Sequence, residues 1–156
     1  MKLGLLTAPL PNVPLLDIAN WASAQGFEML EVCCWPTSAG ANRRYAGITH
    51  INVDNISQDQ CDEIVGQLKN RKITMSALGY YPNNLHPDPN HRDEVNSHTK
   101  KVIRAAGMMG VPVVSTFIGA DASKTQEENW EDAKKIWPAV VKYAEDCNVS
   151  WARRCV

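Results

Sequence analysis

Four times along the chain a helix-stopping residue leads within a few positions into an apolar strand, near Gly26, Asn70, Gly110 and Asn148, roughly every forty residues. A repeat of strand, loop, helix and tight return excludes most folds. Strands alternating with helices imply a parallel sheet with right-handed crossovers, which leaves a doubly wound sheet or a (βα)8 barrel.

The repeat can be followed residue by residue. Lys2-Leu3-Gly4-Leu5-Leu6-Thr7, ended by Pro9 and Pro11, predicts a first strand over 2–8. Leu15, Ile18, Ala19 and Ala22 then fall on one helical face, predicting a helix from about 14 to 25 with Gly26 as its stop. Met29 to Trp35 is the second strand, closed by Pro36 and followed by a loop of about twenty residues, long enough to suspect function. Ser57-Gln58-Asp59-Gln60 has the form of a capping box, with Cys61, Ile64, Val65 and Leu68 as the stripe behind it. Ile73 to Gly79 is the third strand, and a Pro- and Asn-rich loop runs from Tyr80 to Asn90. Val95, Thr99, Val102, Ile103 and Ala106 mark the third helix, stopped by Gly110, before a fourth strand over Val111 to Ile118. Thr125-Gln126-Glu127-Glu128 is a second capping box. It opens a helix in which Trp130, Ala133, Ile136, Trp137, Val140, Val141 and Ala144 offer packing surface and Pro138 predicts a kink. Asn148 stops that helix, and Val149-Ser150-Trp151 begins a fifth strand.

At 156 residues, with 44% apolar and 21% charged residues, the chain suits a single soluble domain over 1–156. A net charge of −1 with scattered Lys and Arg argues against nucleic acid, which needs a basic face. The N-terminal apolar run is too short for a signal peptide or a membrane span, so the expectation is a cytoplasmic protein that binds no membrane. The cysteines Cys33, Cys34, Cys61, Cys147 and Cys155 show no C-x-x-C spacing and read as free thiols.

In either architecture, groups that act on a ligand lie beyond the C-terminal ends of the strands. Neither G-x-G-x-x-G nor a P-loop occurs there, which disfavours nucleotide binding through those motifs. Glu31 is the most informative carboxylate, because it stands inside an apolar strand where a charge needs a partner or water. It either accepts hydrogen bonds from sugar hydroxyls or holds a basic loop residue. Tyr80, Tyr81, Asn83, Asn84 and His86 crowd rings, amides and an imidazole into one loop, a composition suited to a polyhydroxylated ligand. The ordinary alternative is a rigid loop whose side chains cap their own backbone. His50, His91 and His98 read as surface histidines, and Arg43, Arg44 and Arg92 as solvated loop residues or anion contacts.

Several segments carry a family resemblance. Phe27-Glu28-Met29-Leu30-Glu31-Val32, Arg43 to Ile51, Ala77 to Leu85 and Ser115-Thr116-Phe117-Ile118-Gly119 resemble the sugar phosphate isomerase/epimerase family, the xylose isomerase-like barrels, across about residues 1–149. The resemblance implies a (βα)8 TIM barrel roughly twice this length, so that this chain corresponds to its N-terminal half: four parallel strands, each followed by a helix, plus the start of a fifth. It also implies proton transfer next to the carbonyl of a sugar or sugar phosphate, with a divalent metal held by residues of the later strands in full-length members. Carried over to this chain, the resemblance puts Glu31, Asn83 and Thr116 in the sugar pocket with Tyr80 and Tyr81 flanking it, and supplies no catalytic residue, metal ligand or cofactor; His86 joins the substrate-binding candidates on the composition of its loop and not through the resemblance.

Val149-Ser150-Trp151-Ala152-Arg153-Arg154-Cys155-Val156 departs from the family's fifth strand, and paired arginines suit a doubly buried strand poorly. The expectation is a truncated or frame-shifted product with little activity. Two alternatives stand beside it. One is a half-barrel that forms a homo-oligomer by joining strand 4 to strand 1 of a second copy. The other is a complete flavodoxin-like binding domain, in which the sequential strand order would be broken.

Overall fold

The computed structural model describes residues 1–37 and 47–154, with 151–154 described by backbone alone. Nine elements alternate along it: β1 (Gly4–Leu6), α1 (Leu15–Ala24), β2 (Met29–Cys33), α2 (Gln58–Asn70), β3 (Thr74–Gly79), α3 (Pro89–Met109), β4 (Val113–Phe117), α4 (Gln126–Asp146) and β5 (Ser150–Arg154). The strands are parallel and lie in the order β1-β2-β3-β4-β5. That order excludes the doubly wound alternative, whose sheet reverses direction at a switch point. Right-handed crossovers taken always in the same direction put all four helices on one face, which is half of a TIM barrel.

The fifth strand begins where Val149-Ser150-Trp151 predicts it and runs on through the paired arginines. Arg153 and Arg154 lie within β5, opposite Thr116 and Phe117 of β4. β4 is therefore not an edge, and the expected join between strand 4 and strand 1 of a second copy has no free partner on β4. The edges among the described residues are β1 and β5.

The core fills the layer between sheet and helices. Leu30, Val32, Leu78 and Val114 from the strands meet Ile18, Leu68, Val102, Ile103, Ala106 and Val140 from the helices, all 3% exposed or less. The predicted capping boxes form: Ser57 with Gln60 opens α2, and Thr125 with Glu128 opens α4. α3 begins earlier than its apolar stripe suggested, because Asp88 accepts a hydrogen bond from Asn90 N and Pro89 occupies the first helical position. α4 contains Pro138 and continues past it to Asp146. No helix among the described residues is long and apolar enough to cross a membrane.

All four helices end in the same way. Gly26, Lys72, Gly110 and Asn148 each have φ between 56° and 84°. The next residue, Phe27, Ile73, Val111 or Val149, donates its N–H five residues back, to Ala22, Leu68, Ala106 or Ala144 respectively. These are Schellman closures, with apolar residues at both ends of each bond. The second left-handed residue is Lys72 rather than Asn70, because Asn70 is still helical and Ile73 must be the residue that turns into the core. A lysine in that conformation carries a steric cost that glycine lacks. Lys72→Gly is expected to stabilise the protein by about 1 kcal/mol. The check is a urea titration: a raised midpoint at unchanged slope is the expected result, and an unmoved or lowered midpoint contradicts it.

Candidate functional site at the strand ends

Leu30 and Val32 are fully buried beneath the helices, so Glu31 and Cys33, which alternate with them, point to the opposite, inner face. A register shift between Leu30 and Glu31 sets Glu31 against Ala77 and Cys33 against Gly79. Tyr81, just past the end of β3, donates its phenolic hydrogen to Glu31 Oε1. Gly79 makes room for that contact. A Cβ there would lie 3.0 Å from Tyr81 Cε2 and 3.2 Å from Glu31 Oε1. The Tyr81 ring also meets Phe117 at the end of β4, with centroids 5.1 Å apart. A carboxylate, a phenol and a phenyl ring thus line the ends of β2, β3 and β4. Among the described residues Glu31 is held by Tyr81; the basic loop residues Arg43 and Arg44 lie outside the described residues.

The other residues singled out in the sequence stand behind or beside this wall. Tyr80 is 3% exposed, edge-on to Trp35 and to His98 at centroid distances of 4.9 and 4.7 Å, and burial pushes its pKa upward. Thr116 is fully buried and accepts a hydrogen bond from Asn84 Nδ2. Asn83 clamps two loops: its Oδ1 accepts from Leu85 N and Ala120 N, and its Nδ2 donates to Ala120 O. His86 Nδ1 accepts from Asp88 N, its ring packs edge-on against His91, and its carbonyl accepts from Arg92 Nη1. Glu31 and Tyr81 therefore meet at the wall, Asn83 and His86 shape the adjoining loop, and Tyr80 and Thr116 are packed beneath it.

Asn84, quoted in the sequence only as part of the loop, is the best-connected of these residues. Fully buried, it donates to Thr116 Oγ1 and to Phe117 O, at 3.2 and 2.8 Å, and accepts from Thr99 Oγ1 at 3.1 Å. Asn96 Nδ2 in turn donates to its carbonyl. The available signal was the set Asn84, Asn96 and Thr99, in which the last two share a face of α3.

The end of β2 is roofed by the return of the long second loop. Cys34 bridges to Thr49, His50 N donates to Cys33 O, and Ile48 and Ala8 cover the Cys33 side chain. Burial pushes the Cys33 thiol up to about 11, so it is neither a nucleophile nor a thiolate ligand near neutrality. The described cysteines, Cys33, Cys34, Cys61 and Cys147, are free thiols. Arg43 and Arg44, and Cys155, lie outside the described residues. His98 is not the surface residue expected. It is 6% exposed, its Nε2 lies 2.8 Å from Cys34 O, and burial pulls its pKa down against the opposing effect of that carbonyl. His50 is half-buried, with Nε2 3.0 Å from Leu10 O and its pKa likewise lowered by burial. His91 conforms to expectation, exposed and 3.9 Å from Glu94.

Beyond Phe117 a cavity of about 720 Å³ opens between the loop after β3 and the start of α4. Leu85, Phe117, Ile118, Gly119, Asp121 and Trp130 are among its lining residues. Trp130, expected to be packing surface, is 44% exposed. Among the described residues no group of three or more His, Cys, Asp and Glu side chains could hold a metal ion. The described residues by themselves do not fit a divalent ion.

A parallel βα half-barrel with a carboxylate and rings at its C-terminal rim matches a known pattern: the sequence fits the description "xylose isomerase-like TIM barrel" over residues 19–152. The chain belongs to this family. Protein YfiH of Bacillus subtilis (strain 168) is 30% identical over 158 residues, covering 97% of this chain and 46% of that protein. D-psicose 3-epimerase from Clostridium cellulolyticum H10, crystallised with D-tagatose, superposes with a TM-score of 0.71 at 20% identity, covering 97% of this chain and 51% of the epimerase. The IOLI protein with a bound zinc atom gives 0.66 at 18% identity over 98% and 51% of the two chains. At these identities the solved structures establish the fold. The chain spans about half the length of the family members it matches.

Proposed function

We propose that the strand ends of β2, β3 and β4 form the sugar-holding wall of an isomerase or epimerase site. The reading is one of substrate binding by this part of the family fold, within a reaction that moves a proton next to a sugar carbonyl. The observation that carries it is the Tyr81–Glu31 hydrogen bond at the inner rim, for which Gly79 clears the space. A carboxylate is an acceptor suited to sugar hydroxyls, and the rings of Tyr81 and Phe117 offer a surface to the C–H face of a sugar.

The test is an amide-resolved NMR titration with D-tagatose, the ligand of the structurally similar epimerase. Shifts are expected at the ends of β2, β3 and β4, and Glu31→Gln and Tyr81→Phe are each expected to weaken binding by about tenfold. Shifts confined to other surfaces, or an affinity indifferent to both substitutions, would refute the reading.

A further inference from the structure

We infer that His50 is a proton-sensitive latch: its neutral imidazole holds the returning second loop down over the end of β2, and protonation releases that strap. The inference goes beyond the sugar reading and does not depend on it.

The strap is residues 48–50. Two backbone bonds fasten it to the end of β2, from Trp35 N to Ile48 O at 3.3 Å and from His50 N to Cys33 O at 2.9 Å, on either side of the antiparallel bridge between Cys34 and Thr49. The His50 side chain carries the fastening to another βα unit, with Nε2 3.0 Å from Leu10 O in the loop after β1. A carbonyl oxygen can only accept, so Nε2 carries the hydrogen of the neutral ring and Nδ1 is bare. Nδ1 is also buried and meets no hydrogen-bond partner among the described residues. A bare nitrogen tolerates that position, whereas the N–H that protonation creates there is a buried donor without an acceptor.

No charge among the described residues offsets this cost. Burial is the largest influence on the His50 ring and pulls its pKa down, against the Leu10 and Val13 carbonyls. The Cys33 and Cys34 thiols at the end of β2 are pushed upward by burial and stay protonated, so neither supplies a counter-charge. Asp54, further along the same loop, is taken by Lys101. His98 also meets the end of β2, at Cys34 O, but from α3 rather than from the strap.

Lifting the strap returns the ring to water and to the ordinary histidine affinity for a proton, which exceeds that of the closed form. Closure is therefore strongest above about pH 6.5 and weakens as the pH falls through that value. The release has a place in the fold as well. Ile48 and Ala8 close over Cys33, which shares the inner face of β2 with Glu31, so a lifted strap opens the β2 end of the rim.

The experiment is amide hydrogen exchange on the full chain, resolved by NMR and corrected for the intrinsic pH dependence of exchange. Protection of the Trp35 and His50 amides is expected to fall about five- to tenfold from about pH 7.5 to about pH 5.5. Protection of the Val111 and Val149 amides, which close helices elsewhere, is expected to stay within about twofold. His50→Gln, whose amide still donates but does not titrate, is expected to keep the protection seen at neutral pH and to lose the pH response. His98→Gln is expected to leave the response in place. Strap protection indifferent to pH, an equal loss at the two helix closures, or a response that survives His50→Gln would each overturn the latch. The unaltered chain gives a second reading that needs no variant. Nitrogen NMR of the His50 ring near neutrality is expected to show Nε2 protonated and Nδ1 bare, and the opposite tautomer would also overturn the proposal.

Discussion

Asn84→Leu is expected to lower stability by about 3 to 4 kcal/mol, the largest loss for any single side chain at the rim. Leucine has similar volume, so the effect does not come from an emptied cavity. It comes from what is abandoned. The Phe117 carbonyl and the Thr116 and Thr99 hydroxyls lose an amide partner in a fully buried position. Thr99 keeps its bond to the Val95 carbonyl, which softens its share of the loss. The Phe117 carbonyl, at the last residue of β4, bears most of it. For a chain of this size the shift in thermal midpoint is on the order of 10 °C. Denaturant unfolding of wild type and variant measures the difference directly, and a loss below about 1 kcal/mol would mean that water replaces the amide at little cost.

Gly119→Ala is expected to cost about 2 to 4 kcal/mol, for a different reason. At φ +88° the backbone of Gly119 is in a region that side chains rarely enter. A Cβ there would also be driven against Asn83 Oδ1 and to within 2.7 Å of the backbone nitrogens of Asn84 and Leu85. Two of those three atoms are backbone and cannot swing aside. The close approach is what lets Asn83 clamp the loop after β3 to Ala120 after β4. Relief of the clash must part the two loops, and with them the Asn84 contacts. The two substitutions are therefore not independent: a double variant is expected to lose clearly less than the sum of the single losses. Strict additivity in that cycle would show that the loops are held by separate means.

The alternation of strands and helices was legible because three local signals agreed: apolar periodicity, capping boxes and helix stops. Even the inward direction of Glu31 was written in the alternation Leu30-Glu31-Val32. The same alternation, applied to β4, places Thr116 on the face of Val114, beneath the helices, where it supports the strand end. The start of α3 was missed because its first turns carry no apolar stripe, although Asp88-Pro89 is a capping pair. The Tyr81–Glu31 contact was beyond any local reading. It joins residues from different βα units, and it depends on the missing side chain of Gly79, a property of the space between strands. Trp130 was misjudged because helical periodicity says which residues share a face and not whether another element covers that face.

The four identical helix endings give this architecture interchangeable joints. Each closure fixes how the chain leaves its helix and enters the next strand, so the phase of every strand is set at one end of the half-barrel. The opposite end has no such repeated closure, and its connections differ in length, from eight residues between Leu6 and Leu15 or between Phe117 and Gln126 to three times that between Cys33 and Gln58. A rim loop exchanged for one from another family member is expected to leave the strand phase below it undisturbed so long as the Asn83 and Asn84 contacts between the loops after β3 and β4 are kept. The fold thus separates a standardised floor from a replaceable rim, and specificity can be rewritten at the rim without relearning how to fold.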